Sequence, residues 1–251
     1  MPPMNHRSRA LIPVVLREKL NQVEGMNNKS KRLVTIFGQL GDFDSFEYAQ
    51  ALVPQLAHLD AADISLICIG IGNEVGANRF SAFTGLPRSK LLVDQTPDLH
   101  IKLGLYEGLQ IPGRPWLGFF LMCAGVGSPG TISEVVRGYI GDRSASQLFG
   151  DDETIVAQLL PVLSRKMFAL VGGRGFQRPF ELATWRLRNM LEVLANWRTY
   201  IPSEKFISQR GGTYLINEED EIIYHHRSRG ILGYSETMHA PLSFLEAYLN
   251  K

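Results

Sequence analysis

Apolar positions along the chain follow two periods, and the switches between them outline the elements. Residues 33–37 form a short, nearly continuous apolar run that suits a buried strand. A glycine-containing loop then leads into three- and four-residue spacing over residues 45–59, which predicts an amphipathic helix. Ile64–Ile71 (ISLICIGI) is apolar throughout, as expected of a strand covered on both faces of a parallel sheet. Gly72 and Asn73 end it. Glu74–Thr84 reads as the next helix, stopped by Gly85 and followed by Pro87. Leu91–Asp94 is a short strand, and residues 96–103 are a short helix with Thr96 as cap, Pro97 at the first helical position and Gly104 as stop. Far downstream, residues 212–217 and 221–226 flank a Glu218-Glu219-Asp220 turn as a hairpin. A last helix is expected over residues 240–249.

The order βαβα, then ββα, predicts an α/β fold: a mixed sheet with helices on both faces. Residues 33–37 are its central strand, between Ile64–Ile71 and residues 213–217, with residues 221–226 at the edge. Residues 1–30 are a polar N-terminal extension holding one amphipathic segment, residues 11–23, that can pack on the body. Residues 31–109 and 207–251 make the main domain, and residues 110–206 an insertion with its own pattern. The insertion opens on strongly apolar text (IPGRPWLGFFLMCAGVGSPG). Amphipathic helices are expected over residues 131–139 and 154–163, separated by a polar Gly/Asp/Ser loop. A long helix over residues 179–198 carries Phe180, Ala183, Leu187, Met190, Leu191 and Leu194 as one buried stripe. The insertion is therefore expected to be mainly helical.

Composition narrows the function. The 251 residues are 45% hydrophobic and 20% charged, enough apolar material for a large folded core. A formal net charge of +1 provides no general field for nucleic acid, which is not expected as a partner. Cys68 and Cys123 are the two cysteines and lie in different elements, so a disulfide framework is excluded and a reducing, cytoplasmic compartment is expected. No signal peptide is read from the first twenty residues. The longest apolar run, residues 116–126, has 11 residues, short of the roughly 20 that span a bilayer as a helix.

The strand, loop and helix LVTIFGQLGDFDSFEYAQAL, the strand ISLICIGIGN, and the segments FSAFTGLP and LLVDQTPDLHIKLGL together resemble the peroxiredoxin-like branch of the alkyl hydroperoxide reductase and thiol-specific antioxidant (AhpC/TSA) family. The likeness is to its cyanobacterial and plastid type, and it covers residues 33–109 and 210–251. It implies a thioredoxin-like fold: a mixed sheet with flanking helices and a large helical insertion. It also implies a peroxidatic cysteine, or a CxxC pair, at the first turn of the helix after the first strand, where the helix N-terminus and an arginine stabilise a thiolate. Asp42, Asp44 and Ser45 stand at those positions, and none is a thiol. The resemblance further marks Arg210, in RGGTYLIN, as the arginine that faces the peroxide pocket.

Read from the residues alone, Asp44 or Ser45 is a helix cap, with Glu47 completing a capping box. Asp42, Asp44 and Glu47 lack the His or Cys partners of a metal cluster, and no metal or cofactor is expected. Arg210 has a carboxylate-pairing or surface role as its structural alternative. Cys68 reads as a buried small hydrophobe, while Cys123, just before a glycine-rich turn, is either packed or a relocated nucleophile. His225 and His226 point to opposite faces of a strand and do not share a metal. The GGRG tract with Arg178 reads as a turn before a helix, rather than an anion site.

The expectation is a protein that has lost the active-site cysteine and acts by binding, with a protein partner or self-association through the insertion at Trp116, Phe119 and Phe120. Peripheral contact with a photosynthetic membrane belongs to the same expectation. The alternatives are an antioxidant or thiol oxidoreductase using Cys123, and a pocket for an apolar cofactor or pigment between core and insertion.

Overall fold

The computed structural model describes residues 10–26, 28–150, 154–157, 160–164 and 173–249. Residues 1–9 of the N-terminal extension and Gly172 of the glycine tract lie outside them. Five strands make the main sheet: β1 (Lys31–Gln39), β2 (Ile64–Ile71), β3 (Leu91–Asp94), then, after the insertion, β6 (Gly212–Ile216) and β7 (Ile222–Arg227), in the spatial order β3-β2-β1-β6-β7. β1–β2 and β2–β3 are parallel. β1–β6 and β6–β7 are antiparallel, with Leu33 opposite Leu215 and Thr213 opposite His226. β1 is thus the central strand, as its continuous apolar text predicts.

Alternation along β1 and β2 divides two cores. Leu33 and Phe37 of β1, with Leu66 and Cys68 of β2, face one side, where α2 (Phe43–Leu52) and α4 (Glu74–Thr84) cover them with Phe46, Leu52 and Phe80. Val34, Ile36, Ile67 and Ile69 face the other side, under α1 (Val14–Asn21) and α5 (Asp98–Lys102). There Leu16 and Leu20 of the N-terminal segment are fully buried. Helices on both faces of a mixed five-stranded sheet give a thioredoxin-like fold.

Several expectations are corrected. The helix after β1 starts at Phe43 and is broken by a 3-10 turn at Val53–Gln55, where Pro54 removes a donor, before α3 (Leu56–Ala61) resumes. Pro97, not Thr96, occupies the N-cap position of α5, with no side-chain cap bond. The expected last helix over 240–249 is a 3-10 turn, Ser243–Leu245, followed by α10 (Glu246–Leu249).

The insertion holds α6 (Pro115–Cys123), α7 (Thr131–Ile140), a hairpin of β4 (Thr154–Ala157) and β5 (Leu160–Ser164), α8 (Glu181–Ala195) and α9 (Trp197–Tyr200). The helix predicted over 154–163 is therefore an antiparallel pair. Thr154, Ile155, Val156 and Val162 are β-branched and Pro161 cannot continue a helix, so local propensity overrides the apolar spacing. On α8 the predicted stripe is not the buried one. Leu182, Asn189 and Val193 are buried, whereas Phe180 and Leu194 are both 55% exposed. Asn189 turns inward because its side chain exchanges hydrogen bonds with Gln50 of α2.

Candidate functional site

The first turn of α2 is held by a buried ionic cluster. Asp42 takes the N-cap position, but its side chain makes no cap bond. Its Oδ2 instead lies 2.8 Å from Nη1 of Arg210, and Oδ2 of Asp44 lies 3.5 Å from the same nitrogen. Arg210 is 1% exposed, and its remaining donors reach the carbonyls of Ser208 and Ile207. Ser45 Oγ donates to the Gln39 carbonyl at 3.0 Å. The capping reading of Asp44 and Ser45 is thereby overturned: the chain enters the helix at Phe43 rather than Ser45, and the carboxyls of Asp42 and Asp44 both turn to the arginine.

Glu47 forms no capping box either. It makes a two-pronged pair with Arg186 of α8, at 2.7 and 3.0 Å, and accepts from the Tyr234 hydroxyl at 3.2 Å. Tyr234 stacks on Tyr48, centroids 4.6 Å apart, and the Tyr48 hydroxyl is 2.9 Å from Thr213 Oγ1. Asp42, Asp44, Ser45, Tyr48, Thr213 and Tyr234 line a cavity of about 20 Å³, room for one water and no larger molecule. Gly38 is required in its wall, because a Cβ there would stand 2.9 Å from Asp42 Oδ2 and 2.5 Å from the Gln209 carbonyl.

Burial pushes both carboxyls up. Asp44 reaches about 8, because the Asp42 charge adds to burial and outweighs the pull of Arg210. Asp42 is also raised by burial, against the same arginine. Arg210 lies nearer Asp42 than Asp44, so its pull is shared unequally between two carboxyls that burial raises. Chemically the site is a buried clamp of two carboxyl groups on one arginine, with no thiol in it.

The two thiols lie elsewhere. Cys68 is fully buried on β2, and burial pushes its thiol far above the ordinary range. Cys123, at the end of α6, is half-buried beside Met122 and Leu232. Burial raises it too, while Arg210 pulls the other way. The structure thus brings Asp42, Asp44 and Arg210 together and places Cys123 within electrostatic reach of them.

Trp116, Phe119 and Phe120 form one aromatic cluster. Trp116 stacks on Trp197 at 5.2 Å and on Phe120 at 5.6 Å, and its Nε1 donates to Glu204. Phe120 alone of the three is largely open, 59% exposed. His226 Nε2 is 2.9 Å from the Gly233 carbonyl. Arg178 is wholly buried against Glu181, whose carboxylate also takes the amides of Leu148 and Phe149, so the tract before α8 closes on itself. Among the described residues no group of three or more His, Cys, Asp or Glu can hold a metal, and no helix is long and apolar enough to cross a membrane.

The spacing analysis missed Arg186, Glu134, Tyr234 and Leu232 as members of this neighbourhood. No local motif marks them, since they lie far from α2 in sequence. For Arg186 and Glu134 the one signal is charge on helix faces that carry apolar residues at neighbouring positions; Tyr234 and Leu232 lie on no helix and carry no such signal. A family model described as AhpC/TSA antioxidant enzyme matches residues 51–230. The matched span takes in the insertion and Arg210 and begins after Asp42, Asp44 and Ser45. No match is found among curated proteins or among solved structures.

Proposed function

The chain belongs to the AhpC/TSA antioxidant enzyme family, and from that premise we propose that it works by binding rather than by reducing peroxide. The observation that carries the proposal is the clamp of Asp42 and Asp44 on Arg210 at the first turn of α2. Peroxide reduction needs a thiolate that becomes a sulfenic acid and then a disulfide, and carboxylates cannot enter that cycle. A thiolate there would have the arginine to itself, whereas here Asp42 and Asp44 both engage it. The 20 Å³ cavity beside them also admits no alkyl hydroperoxide.

The proposed contact surface is the insertion, with Phe120 as its exposed aromatic and Trp116 and Phe119 as its support, and the partner is a protein or a second copy of the chain. Cytoplasmic location with peripheral contact to a photosynthetic membrane belongs to the same proposal. A second reading, a thiol oxidoreductase using Cys123, is favoured by the partial exposure of that thiol and by its electrostatic coupling to Arg210. The test is consumption of hydrogen peroxide and cumene hydroperoxide with dithiothreitol as reductant. Rates equal to buffer are expected, and turnover lost in Cys123→Ser would replace the binding reading with the second one.

A further inference from the structure

Helix α7 is built inside out. Its charged residues face the protein: Glu134 and Arg137, with side chains 13% and 14% exposed, pair with each other, and Glu134 also pairs with Arg186. Its apolar residues face outward, with Ile132 at 53%, Val136 at 47%, Tyr139 at 53% and Ile140 at 67% exposure. A helix normally turns its apolar stripe to the core. At the edge of this face, between Val135, Gly138 and Tyr139 of α7 and the helix α8, runs a groove of about 380 Å³, lined also by Phe180, Leu187 and Met190 and by Phe43 and Leu232. Its volume lies in the range of small-molecule sites, roughly 300–1,000 Å³.

Three independent features single out this groove. Four residues other than glycine have positive φ in the described structure; two are aspartates, and the two bulky ones, Phe180 (φ 64°) and Leu232 (φ 59°), both line it. Large apolar side chains adopt that backbone at a cost, and such strain gathers at ligand sites. Phe180 is pinned there by its amide bond to the Tyr139 carbonyl, 3.0 Å, and packs edge-on against the Tyr139 ring. Second, Gly138 sits inside α7, where glycine weakens a helix. A Cβ at that position would meet nothing nearer than 3.6 Å, so close packing does not demand the glycine. What a side chain there would take is room in the groove. Third, the arginine and the threonine of the wall are already engaged. Arg186, the only charged residue among the described lining residues, is consumed by Glu47 and Glu134, and the Thr184 hydroxyl donates to the Phe180 carbonyl.

We propose that the groove between α7 and α8 binds an uncharged, apolar small molecule. Volume and lining select the size and polarity of the ligand. The neutralised arginine excludes a carboxylate or phosphate head group, which would enter without a counter-ion. The site deepens the binding reading above and rests on it, and it lies apart from the Trp116 cluster where an apolar pocket was expected.

The test is a fluorescence titration of the full chain with N-phenyl-1-naphthylamine, a neutral apolar probe, followed by displacement with 1-dodecanol or dodecanoate. Saturable binding is expected, with dodecanol displacing the probe about tenfold better than dodecanoate, since the latter buries an unpaired charge. Ala183→Trp, which fills the groove, is expected to weaken the probe at least about tenfold. Tyr139→Glu, at a side chain that is 53% exposed, is expected to weaken it as well. Absence of probe binding, equal displacement by the two competitors, or unchanged affinity in folded Tyr139→Glu overturns the proposal. So does a wild-type dimer that binds no probe and dissociates in Tyr139→Glu, which would give the face to a second copy. Peroxide consumption in the same samples separates the two readings: turnover through Cys123 refutes the binding function, whereas no turnover and no probe binding refutes the groove alone.

Discussion

The amide of Leu232 donates to Oδ1 of Asp44 at 2.6 Å. One peptide unit therefore belongs both to the wall of the α7–α8 groove and to the buried carboxylates at the start of α2. Leu232 holds a left-handed backbone to make that bond, and Asp44 has its charge suppressed beside it. The buried carboxyls at the start of α2 and the groove beside α7 and α8 are in this way joined through one hydrogen bond.

Asp44 makes stability depend on pH. Its folded value of about 8 lies above its ordinary 3.8, so the native state holds more protons within that window and stability falls as pH rises through it. The contribution is complete below about 4 and gone above about 8, with a slope of at most about 1.4 kcal/mol per pH unit. Asp44→Asn keeps an acceptor for Leu232 and is expected to flatten the slope. Urea unfolding across that range measures it, and an unchanged slope would assign the titration to another group.

Removing Arg210 leaves two buried carboxylates without a cation. Arg210→Met is expected to cost about 3–5 kcal/mol at neutral pH, and much less in the Asp42→Asn, Asp44→Asn background. Denaturant unfolding of the four proteins reads the coupling. Additive losses would show that the clamp carries no shared energy.

The two thiols are expected to differ in reactivity. Cys123, half-buried, reacts slowly with a disulfide reagent in the native protein, and Cys68 reacts only after unfolding, because it is fully enclosed on β2. Labelling followed by peptide mass spectrometry assigns each site, and rapid native labelling of Cys68 would mean that the β2 face opens readily.

At the aromatic cluster, Phe120→Ser is expected to change stability by less than about 0.5 kcal/mol, as an exposed position does. Trp116→Ser is expected to cost roughly 1–3 kcal/mol through lost ring contacts with Trp197 and Phe119. Equal costs would mean that both residues are structural and that Phe120 is not a free contact.

Much of the sheet was legible. Ile64–Ile71 runs as its apolar text predicts, because a strand buried at every position is apolar along its length, Leu91–Asp94 pairs at its edge, and the hairpin after the insertion follows from its turn. The insertion was less legible. On α8 the apolar residues Phe180, Leu187 and Met190 line an open groove, while Asn189 is buried through hydrogen bonds with Gln50, and spacing alone cannot tell a groove wall from a core face. At the site, Asp42, Asp44 and Arg210 were each singled out, but their union was not. Capping is a local contest, and it was won by an arginine more than 160 residues away, brought to α2 by the pairing of β6 with β1.

The most direct measurement is the intact mass of the protein, with dimedone present, after brief exposure to cumene hydroperoxide. The account predicts an unmodified chain, because the first turn of α2 offers carboxylates, and burial keeps both thiols protonated. A dimedone adduct on Cys123 that forms within seconds, and is prevented by a reducing thiol, would show a sulfenic acid made at that residue and would contradict it.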